Sequence, residues 1–367
     1  MNIKVITRHA PSNYGSLLQS IATQTILERL GHNCDIIDYQ PKIDRGIRKT
    51  ISIANKQGYN KNILKKIAYV GLRYPEDKIA LLKFDRMRKM LLHLTQRCVT
   101  HQDLQKIDAD LFMTGSDQVW GLMLDGKYDS AYFLSFVKDK PKVAYSASFG
   151  RTDFTRETLN EYKKLLSSYA MIAVREDTAI DTLKKIGIPC AGHVLDPTLL
   201  LDDQNWSRLI KNKIKGEYVL IYQLHKNSKM DHYAKKFAEN VGLQLVRISP
   251  TLHQISRGGK FVFLPDVNDF LSYIKNCTYF ITDSFHGTAF ALIFNKQFIE
   301  ILPNNKTDSR NQSILRLTQL QDRILSDYQD FSFSEKKIDY TKVNIILNRE
   351  RKKSIEILND ILRVGNK

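Results

Sequence analysis

The chain has 367 residues, 43% hydrophobic and 26% charged, and carries a formal net charge of +17 at pH 7. This length accommodates two α/β domains with separate cores, and the composition is that of a globular protein. The four cysteines are far apart and form no CxxC pair, which argues against a zinc site or a disulfide framework and fits a reducing cytoplasm. The sequence predicts neither a signal peptide nor a membrane span.

The positive charge is concentrated in a basic segment between Lys42 and Arg97, where fifteen Lys and Arg residues occur against four Asp and Glu. The excess indicates an anionic partner such as a phosphorylated substrate, anionic lipid headgroups or nucleic acid. Nucleic acid is the least supported, because the sequence contains no recognisable nucleic-acid-binding motif. Apolar residues interleave with the charges and predict amphipathic helices. Their basic faces are either only solvated or rest on an anionic membrane.

Strands and helices alternate along residues 1–190, the predicted N-terminal domain. The apolar pattern predicts strands at 3–7, 34–39, 111–114, 143–148 and 171–174. It predicts helices at 17–30, 156–169 and 178–187.

The predicted C-terminal domain, residues 191–340, repeats this alternation. Strands are predicted at 218–223, 243–248, 261–263, 277–281 and 297–301, and helices at 229–240, 266–276 and from 289. Residues 341–367 predict a further helix, which could pack back on the N-terminal domain. The alternation in both halves implies an α/β fold with two doubly wound domains facing a cleft.

Residues 282–288, Thr-Asp-Ser-Phe-His-Gly-Thr, fall between a predicted strand and a predicted helix. In an open α/β sheet this position faces the ligand crevice, and the first N–H groups of a helix attract anions. Ser284, His286 and Thr288 add hydrogen-bond donors, and Gly287 would let a ligand approach the backbone. The alternative is an ordinary N-cap formed by the Asp or Ser of this turn. The neighbouring histidine and glycine favour an anion site.

Six such blocks follow one another along the chain. They are Asn13-Tyr14-Gly15-Ser16-Leu17-Leu18-Gln19, Gly115-Ser116-Asp117-Gln118-Val119-Trp120, Tyr145-Ser146-Ala147-Ser148-Phe149-Gly150, Val174-Arg175-Glu176-Asp177, Asp196-Pro197-Thr198-Leu199-Leu200 and Thr282-Asp283-Ser284-Phe285-His286-Gly287-Thr288-Ala289-Phe290. In this order, over residues 1–316, the chain resembles the polysaccharide pyruvyl transferase family. Any one block is a weak signal, whereas their coincidence is specific.

The resemblance implies a fold like that of the GT-B glycosyltransferases, with two Rossmann-like domains. It also implies transfer of the enolpyruvyl or pyruvyl group of phosphoenolpyruvate to a sugar, which leaves a cyclic ketal and free phosphate. In bacterial capsule and exopolysaccharide pathways the acceptor is often carried on a lipid diphosphate. A cytoplasmic enzyme that could be peripheral at the inner membrane face is therefore expected. Phosphoenolpyruvate is the co-substrate, and neither a cofactor nor a metal is expected.

Phosphoenolpyruvate is a small trianion, so its site needs an anion cradle and cationic groups. The turn at 284–288, in the domain assigned to the donor, is predicted to hold the phosphate. Arg175 and Arg310 are candidates for the carboxylate, because a guanidinium binds a carboxylate bidentately. The alternative for each arginine is an ion pair, with Glu176 and Asp308 respectively.

Ketal formation needs a general acid and a general base. His286 is the candidate acid, since a histidine titrates near working pH, or it only hydrogen-bonds the phosphate. Asp117, in the domain assigned to the acceptor, is the candidate base, or a carboxylate that caps its loop. Asp283 is expected to cap or to orient His286, and Asp196 to be structural.

The acceptor itself is assigned to polar positions of the first two blocks: Asn13, Gly15, Gln19, Ser116 and Asp117. Helix capping explains Asn13 equally well. Two other functions stay open. One is a GT-B-type glycosyltransferase that uses a nucleotide sugar. The other is a non-catalytic, membrane-associated polysaccharide-assembly protein whose working part is the basic segment.

Overall fold

The computed structural model of the chain describes residues 1–303 and 308–366. Its contacts divide the chain into two compact units, each built on one parallel sheet. The first unit comprises Met1–Pro197 together with the residues from Lys353 onward, and the second comprises Thr198–Lys352. The predicted boundary at residue 190 precedes a strand at Gly192–His193, which pairs with the first sheet and extends the first unit.

The first unit has six parallel strands. They are β1 (Asn2–Ile6), β2 (Asn33–Ile36), β3 (Leu111–Thr114), β4 (Lys142–Ala147), β5 (Met171–Val174) and β6 (Gly192–His193). Its helices are α1 (Tyr14–Arg29), α2 (Gly46–Lys56), α3 (Ile63–Leu91), α4 (His101–Leu104), α5 (Arg156–Leu166) and α6 (Asp177–Lys185). The strand order is β2-β1-β3-β4-β5-β6. All strands are parallel, and the direction in which successive strands are added to the sheet reverses between β1 and β3. Ligands of doubly wound sheets bind at such a switch point, beyond the carboxyl ends of the strands.

The second unit has five parallel strands. They are β7 (Tyr218–Tyr222), β8 (Gln244–Ser249), β9 (Lys260–Phe263), β10 (Tyr279–Thr282) and β11 (Gln297–Glu300). The helices are α7 (Pro197–Leu200), α8 (Asp203–Ser207), α9 (Ser228–Asn240), α10 (Val267–Asn276), α11 (Phe285–Ile293), α12 (Ser309–Leu317) and α13 (Tyr340–Arg363). The strand order β11-β10-β7-β8-β9 places the switch point between β7 and β10.

The central strands are short apolar runs buried on both faces, as parallel sheets covered by helices require. All residues of β3 and of β7 are buried. Aromatic side chains fill both cores, with Trp120 and Tyr162 in the first unit and Tyr233 and Phe237 in the second. The predicted fold class, two doubly wound α/β units with parallel sheets, is confirmed.

The basic segment forms the helices α2 and α3. The buried side chain of Arg88 on α3 donates from Nη1 to the carbonyl oxygens of His9 and Pro11, both at 3.3 Å. The rings of Phe84 and Tyr14, the latter in the first turn of α1, lie 5.0 Å apart. The helical pair is therefore fixed to the loop between β1 and α1.

The helix α13 begins in the second unit, and its last turns belong to the first. There the hydroxyl of Ser354 accepts a 3.0 Å hydrogen bond from the backbone N–H of Leu195. None of the described helices has the length and apolar composition needed to cross a bilayer.

Candidate functional site

A polar network lies at the carboxyl ends of β1, β3, β4 and β5, and Arg175 is its centre. The nearest carboxylate oxygens are Oδ2 of Asp196 at 3.0 Å, Oε2 of Glu176 at 3.7 Å and Oδ1 of Asp117 at 4.0 Å. Only 1% of the Arg175 side chain is exposed. Burial alone would lower the pKa of Arg175, but these carboxylates raise it above its usual value. The geometry favours an ion pair for this predicted donor ligand, with Asp196 as its nearest partner where Glu176 was expected.

Asp117, the candidate base, lies at the edge of this network with 13% of its side chain exposed. Its Oδ2 accepts a 2.8 Å hydrogen bond from the hydroxyl of Ser16, and its Oδ1 accepts one of 2.8 Å from the N–H of Gln118. Its backbone is left-handed, with φ 74°, and such strain concentrates at functional sites. Asn13 caps α1 by accepting from the N–H groups of Gly15 and Ser16 at 2.8 and 3.3 Å.

The remaining predicted acceptor residues are internal. Gln19 is fully buried and donates from Nε2 to the hydroxyl of Thr7 at 2.8 Å. Thr7 in turn donates to the carbonyl oxygen of Ser116 at 2.7 Å, and the buried hydroxyl of Ser116 donates to Asp196 at 2.8 Å. All five predicted acceptor residues therefore meet at the β1–β3 switch point. Of these, Asn13 and Asp117 keep exposed surface.

In the second unit, the carboxylate of Asp283 spans the switch point between β10 and β7. Its Oδ1 accepts a 2.7 Å hydrogen bond from the N–H of Leu224, and its Oδ2 accepts one of 2.8 Å from the N–H of His225. The ring Nδ1 of His225 lies 3.1 Å from the same Oδ2. The Asp283 side chain is 2% exposed and that of His225 is 38% exposed. Asp283, expected to cap or to orient His286, thus holds a different and accessible imidazole.

The start of α11 is capped by Ser284, whose hydroxyl accepts a 3.2 Å hydrogen bond from the N–H of Gly287. A Cβ at Gly287 would overlap the side chain of Thr282, so close packing of α11 on β10 explains this glycine without a ligand. His286 lies in the first turn with 7% of its surface exposed. The capping alternative is therefore realised by Ser284, next to a largely buried histidine.

Glu300, at the end of β11, is a fully buried carboxyl group that joins two helix starts. It is hydrogen-bonded to the buried hydroxyl of Thr288 in α11 and to the amide of Asn311 in α12. Burial raises the pKa of Glu300 to about 8, although these hydrogen bonds oppose the shift. Arg310 precedes Asn311 in the first turn of α12, so Glu300 connects the two helix starts assigned to the donor.

The sequence-based prediction does not include His225 or Glu300. His225 lies two residues after the end of the predicted strand 218–223, and this position at a strand end could have indicated it. Glu300 lies within the predicted strand 297–301, where nothing in the pattern distinguishes a buried carboxyl group from an exposed one. Within residues 1–303 and 308–366, no three His, Cys, Asp or Glu side chains group as metal ligands.

A model of the polysaccharide pyruvyl transferase family matches residues 13–305. No curated protein matches the chain in sequence. The UDP-N-acetylglucosamine 2-epimerase of Rickettsia bellii is similar in structure, with 13% identity, a TM-score of 0.56 and coverage of 100% of this chain and 98% of that chain. The epimerase of Methanocaldococcus jannaschii, in complex with UDP-GlcNAc and UDP, has 16% identity, a TM-score of 0.52 and full coverage of both chains. Identities this low show a shared fold alone, the GT-B type.

The packing of α11 on β10 predicts the effect of Gly287→Ala. We expect a loss of about 1–3 kcal/mol in the free energy of unfolding, because the added Cβ must displace Thr282 or the helix. Gly71→Ala in α3 is the matched control. Its Cβ meets open space, and alanine stabilises a helix interior by about 0.5–1 kcal/mol relative to glycine. Denaturant titration measures both variants, and an unchanged stability of Gly287→Ala would contradict the packing.

The buried carboxyl group predicts the pH dependence of Glu300→Gln. The pKa of Glu300 rises from an ordinary 4.5 to about 8 in the folded protein. Its stabilising contribution is therefore complete below pH 4.5 and is lost as the pH rises through 8. Glutamine does not titrate, so the variant should gain a few kcal/mol relative to wild type between pH 5 and pH 9. Free energies of unfolding at both pH values test this, and parallel pH profiles would refute it.

Proposed function

The chain belongs to the polysaccharide pyruvyl transferase family, and on that premise we propose that it transfers the pyruvyl group of phosphoenolpyruvate to two hydroxyls of a sugar. The products are a cyclic ketal and phosphate. The observation that carries the proposal is the polar turn after β10, where Asp283 holds His225 at the switch point beside the start of α11. A helix start favours a phosphate group, and a carboxylate-bound imidazole favours proton transfer.

In this proposal the second unit binds phosphoenolpyruvate. The phosphate lies at the start of α11, where His286 hydrogen-bonds it, and Arg310 binds the carboxylate. His225 donates its proton to the methylene carbon, because it combines an orienting carboxylate with an exposed ring. Its greater exposure makes it a better acid candidate than His286, which we reassign to phosphate binding.

The first unit binds the acceptor at the β1–β3 switch point. Asp117 takes the proton of the first sugar hydroxyl as that oxygen bonds to the central carbon of phosphoenolpyruvate. The oxygen of the second hydroxyl then bonds to the same carbon and closes the ketal. The bond from that carbon to the phosphate oxygen breaks, and the phosphate leaves with the second proton. Asp117 suits the role of base because it lies at the exposed edge of an otherwise buried network.

We further propose that the acceptor is lipid-linked and that α2 and α3 rest on an anionic membrane surface. Support comes from a row of aliphatic side chains on α3, each more than half exposed: Leu64, Leu72, Ile79, Leu82 and Met90. Spacings of three, seven and eight residues place them on one side of the helix. This aliphatic row can enter the interface between headgroups and acyl chains.

The charges of α3 also support contact with an anionic membrane. Its three carboxylates have partners inside the helical pair: Asp77 with Thr50, Asp85 with Arg45 and Arg88, and Glu76 with Arg73. Many of the basic side chains of the segment are exposed, and their charge is not balanced by these carboxylates. Each Lys or Arg near an anionic bilayer contributes about 1 kcal/mol to binding. Charge complementarity therefore favours an anionic membrane over a second copy of this cationic surface.

Phosphoenolpyruvate is expected to raise the melting temperature of the protein, because it binds the folded state. In His225→Ala that stabilisation should persist while kcat falls by about 10²–10⁴-fold. In His286→Ala the stabilisation itself should weaken. His232→Ala, at an exposed position of α9, is the control and should behave as wild type.

Thermal melts and a phosphate-release assay distinguish the outcomes. Stabilisation by UDP-N-acetylglucosamine without any response to phosphoenolpyruvate would contradict pyruvyl transfer and favour a glycosyltransferase. Near-normal turnover in His225→Ala would remove that residue from the mechanism.

Replacing Leu72, Leu82 and Met90 together by Ser should reduce co-sedimentation with phosphatidylglycerol vesicles at least tenfold. Burial of one such side chain is worth about 1.5–3 kcal/mol, so partial burial of three suffices for this effect. The matched control replaces the exposed Leu252, Ile255 and Ile345 of the second unit. Equal binding by the α3 variant would refute the membrane contact. A wild-type dimer that the variant dissociates would show that a second copy covers the row.

A further inference from the structure

A cavity of about 410 Å³ lies in the first unit beside the loop that follows β2. Its lining is Gln40, Lys42, Arg45, Gly46, Ile47, Arg48, Leu81, Arg97 and Val99. Four of these nine residues are cationic and none carries a carboxylate. Its volume falls within the range of small-molecule sites and exceeds what one phosphate group needs.

Two of the cations form ion pairs with acids that do not belong to the cavity lining. Arg45 is paired with Asp85 of α3, and Nε of Arg97 lies 3.3 Å from Oδ2 of Asp38. Burial acts to raise the pKa of Asp38, but hydrogen bonds from His9 and Gln40 and the charge of Arg97 lower it to about 2. Asp38 therefore stays ionised at neutral pH, and the Arg97 guanidinium keeps its anchor.

The remaining donors have no such partners. Lys42 and Arg48 are exposed, and neither makes an ion pair within the described parts of the chain. Nη1 of Arg45 is buried and makes no hydrogen bond there, although a buried cationic donor without an acceptor is costly. The lining thus offers several N–H donors to an anion that brings more than one oxygen.

The lining of the cavity also includes the apolar side chains of Ile47, Leu81 and Val99. Ile47 belongs to the lining and is 48% exposed, and Leu81 precedes Leu82 of the aliphatic row. A ligand that fits both features carries a polyanionic group on an aliphatic chain. The row provides the apolar surface along which such a chain can continue into a bilayer.

The cavity is also tied to the acceptor side of the same unit. Asp38, which anchors Arg97, lies 3.1 Å from Nε2 of His9 in the loop between β1 and α1. Arg88 binds the carbonyl oxygen of His9, and that loop leads to Asn13 at the start of α1. A ligand held in the cavity is therefore placed beside the loop that shapes the β1–β3 switch point.

We propose that this cavity binds the diphosphate group of a lipid-linked acceptor through Lys42, Arg45, Arg48 and Arg97. The assignment rests on the proposed function and adds to it the place where the acceptor's carrier is held. The sugar then extends toward Asp117, and the aliphatic chain leaves past Ile47.

Isothermal titration calorimetry of the full chain with inorganic pyrophosphate tests the cavity directly. The variant Lys42→Glu/Arg48→Glu reverses its two unpaired charges and should lower the affinity at least tenfold. The control Lys211→Glu/Lys213→Glu makes the same change in net charge at exposed positions of the second unit. Equal affinity in wild type and the cavity variant, or no binding by wild type, overturns the assignment.

A second measurement distinguishes the acceptor's diphosphate from ordinary anionic lipid. Phosphatidylcholine vesicles that contain a polyprenyl diphosphate should retain wild type better than phosphatidylglycerol vesicles of equal charge, and the cavity variant should lose that preference. Equal retention on both overturns the diphosphate assignment. Stabilisation by phosphoenolpyruvate, measured in parallel, should persist in the cavity variant. If phosphoenolpyruvate does not stabilise wild type, the proposed function is refuted, and pyrophosphate binding stands as a separate result.

Discussion

The candidate site of the second unit depends on the hydrogen bonds that the carboxylate of Asp283 accepts. It accepts hydrogen bonds from two consecutive backbone amides after β7 and is itself the first residue after β10. A hydrogen bond to a charged acceptor contributes about 1.5–3 kcal/mol, and both of these bonds are partly buried, so the contact is favoured. Because β7 and β10 flank the switch point, the same carboxylate sets the spacing of the two loops at which a ligand would bind. The orientation of His225 and the position of the α11 start both follow from it.

The first unit reaches a comparable arrangement with a buried cation. Arg175 would be strongly destabilising in the interior without partners, and its carboxylate neighbours compensate for the lost hydration. This compensation involves Asp196 and Glu176, which are both buried, and leaves Asp117 at the exposed edge. The left-handed backbone of Asp117 and of Ser146 lies within this network, where fixed neighbours can hold strained residues in place. The buried members of the network are therefore positioning groups, and chemistry is open to the residue at its margin.

Local signals explain which parts of the fold the sequence predicts. The strands at 111–114 and 171–174 are found as predicted, because an apolar run bounded by polar residues is a local pattern. The sequence also predicts that the polar residues at the strand ends lie close together, since parallel strands present their carboxyl ends at one edge of the sheet. The direction in which each polar side chain points depends on sheet register instead. Arg175 is next to Glu176 in sequence but lies closest to Asp196, which is 21 residues away. His225 could be assigned only by placing β7 beside β10, across 58 residues of sequence.

The helical pair α2 and α3 differs from an ordinary solvated pair in where its acids lie. On a solvated helix, acids and bases three or four residues apart neutralise each other at the surface. Here Glu76 and Asp85 also form such pairs, with Arg73 and Arg88, but only 8% and 18% of their side chains are exposed. Asp77 binds Thr50 of α2, and Asp85 binds Arg45 just before α2, so the interior of the pair takes the negative charge and its surface keeps the positive charge. Large exposed apolar patches are rare on monomeric proteins, and the aliphatic row adds one to this cationic surface. Arg88 joins the same helix to the loop that begins α1. A displacement of α3 against a bilayer would therefore move the loop that shapes the acceptor side, which connects membrane contact to the geometry around Asp117.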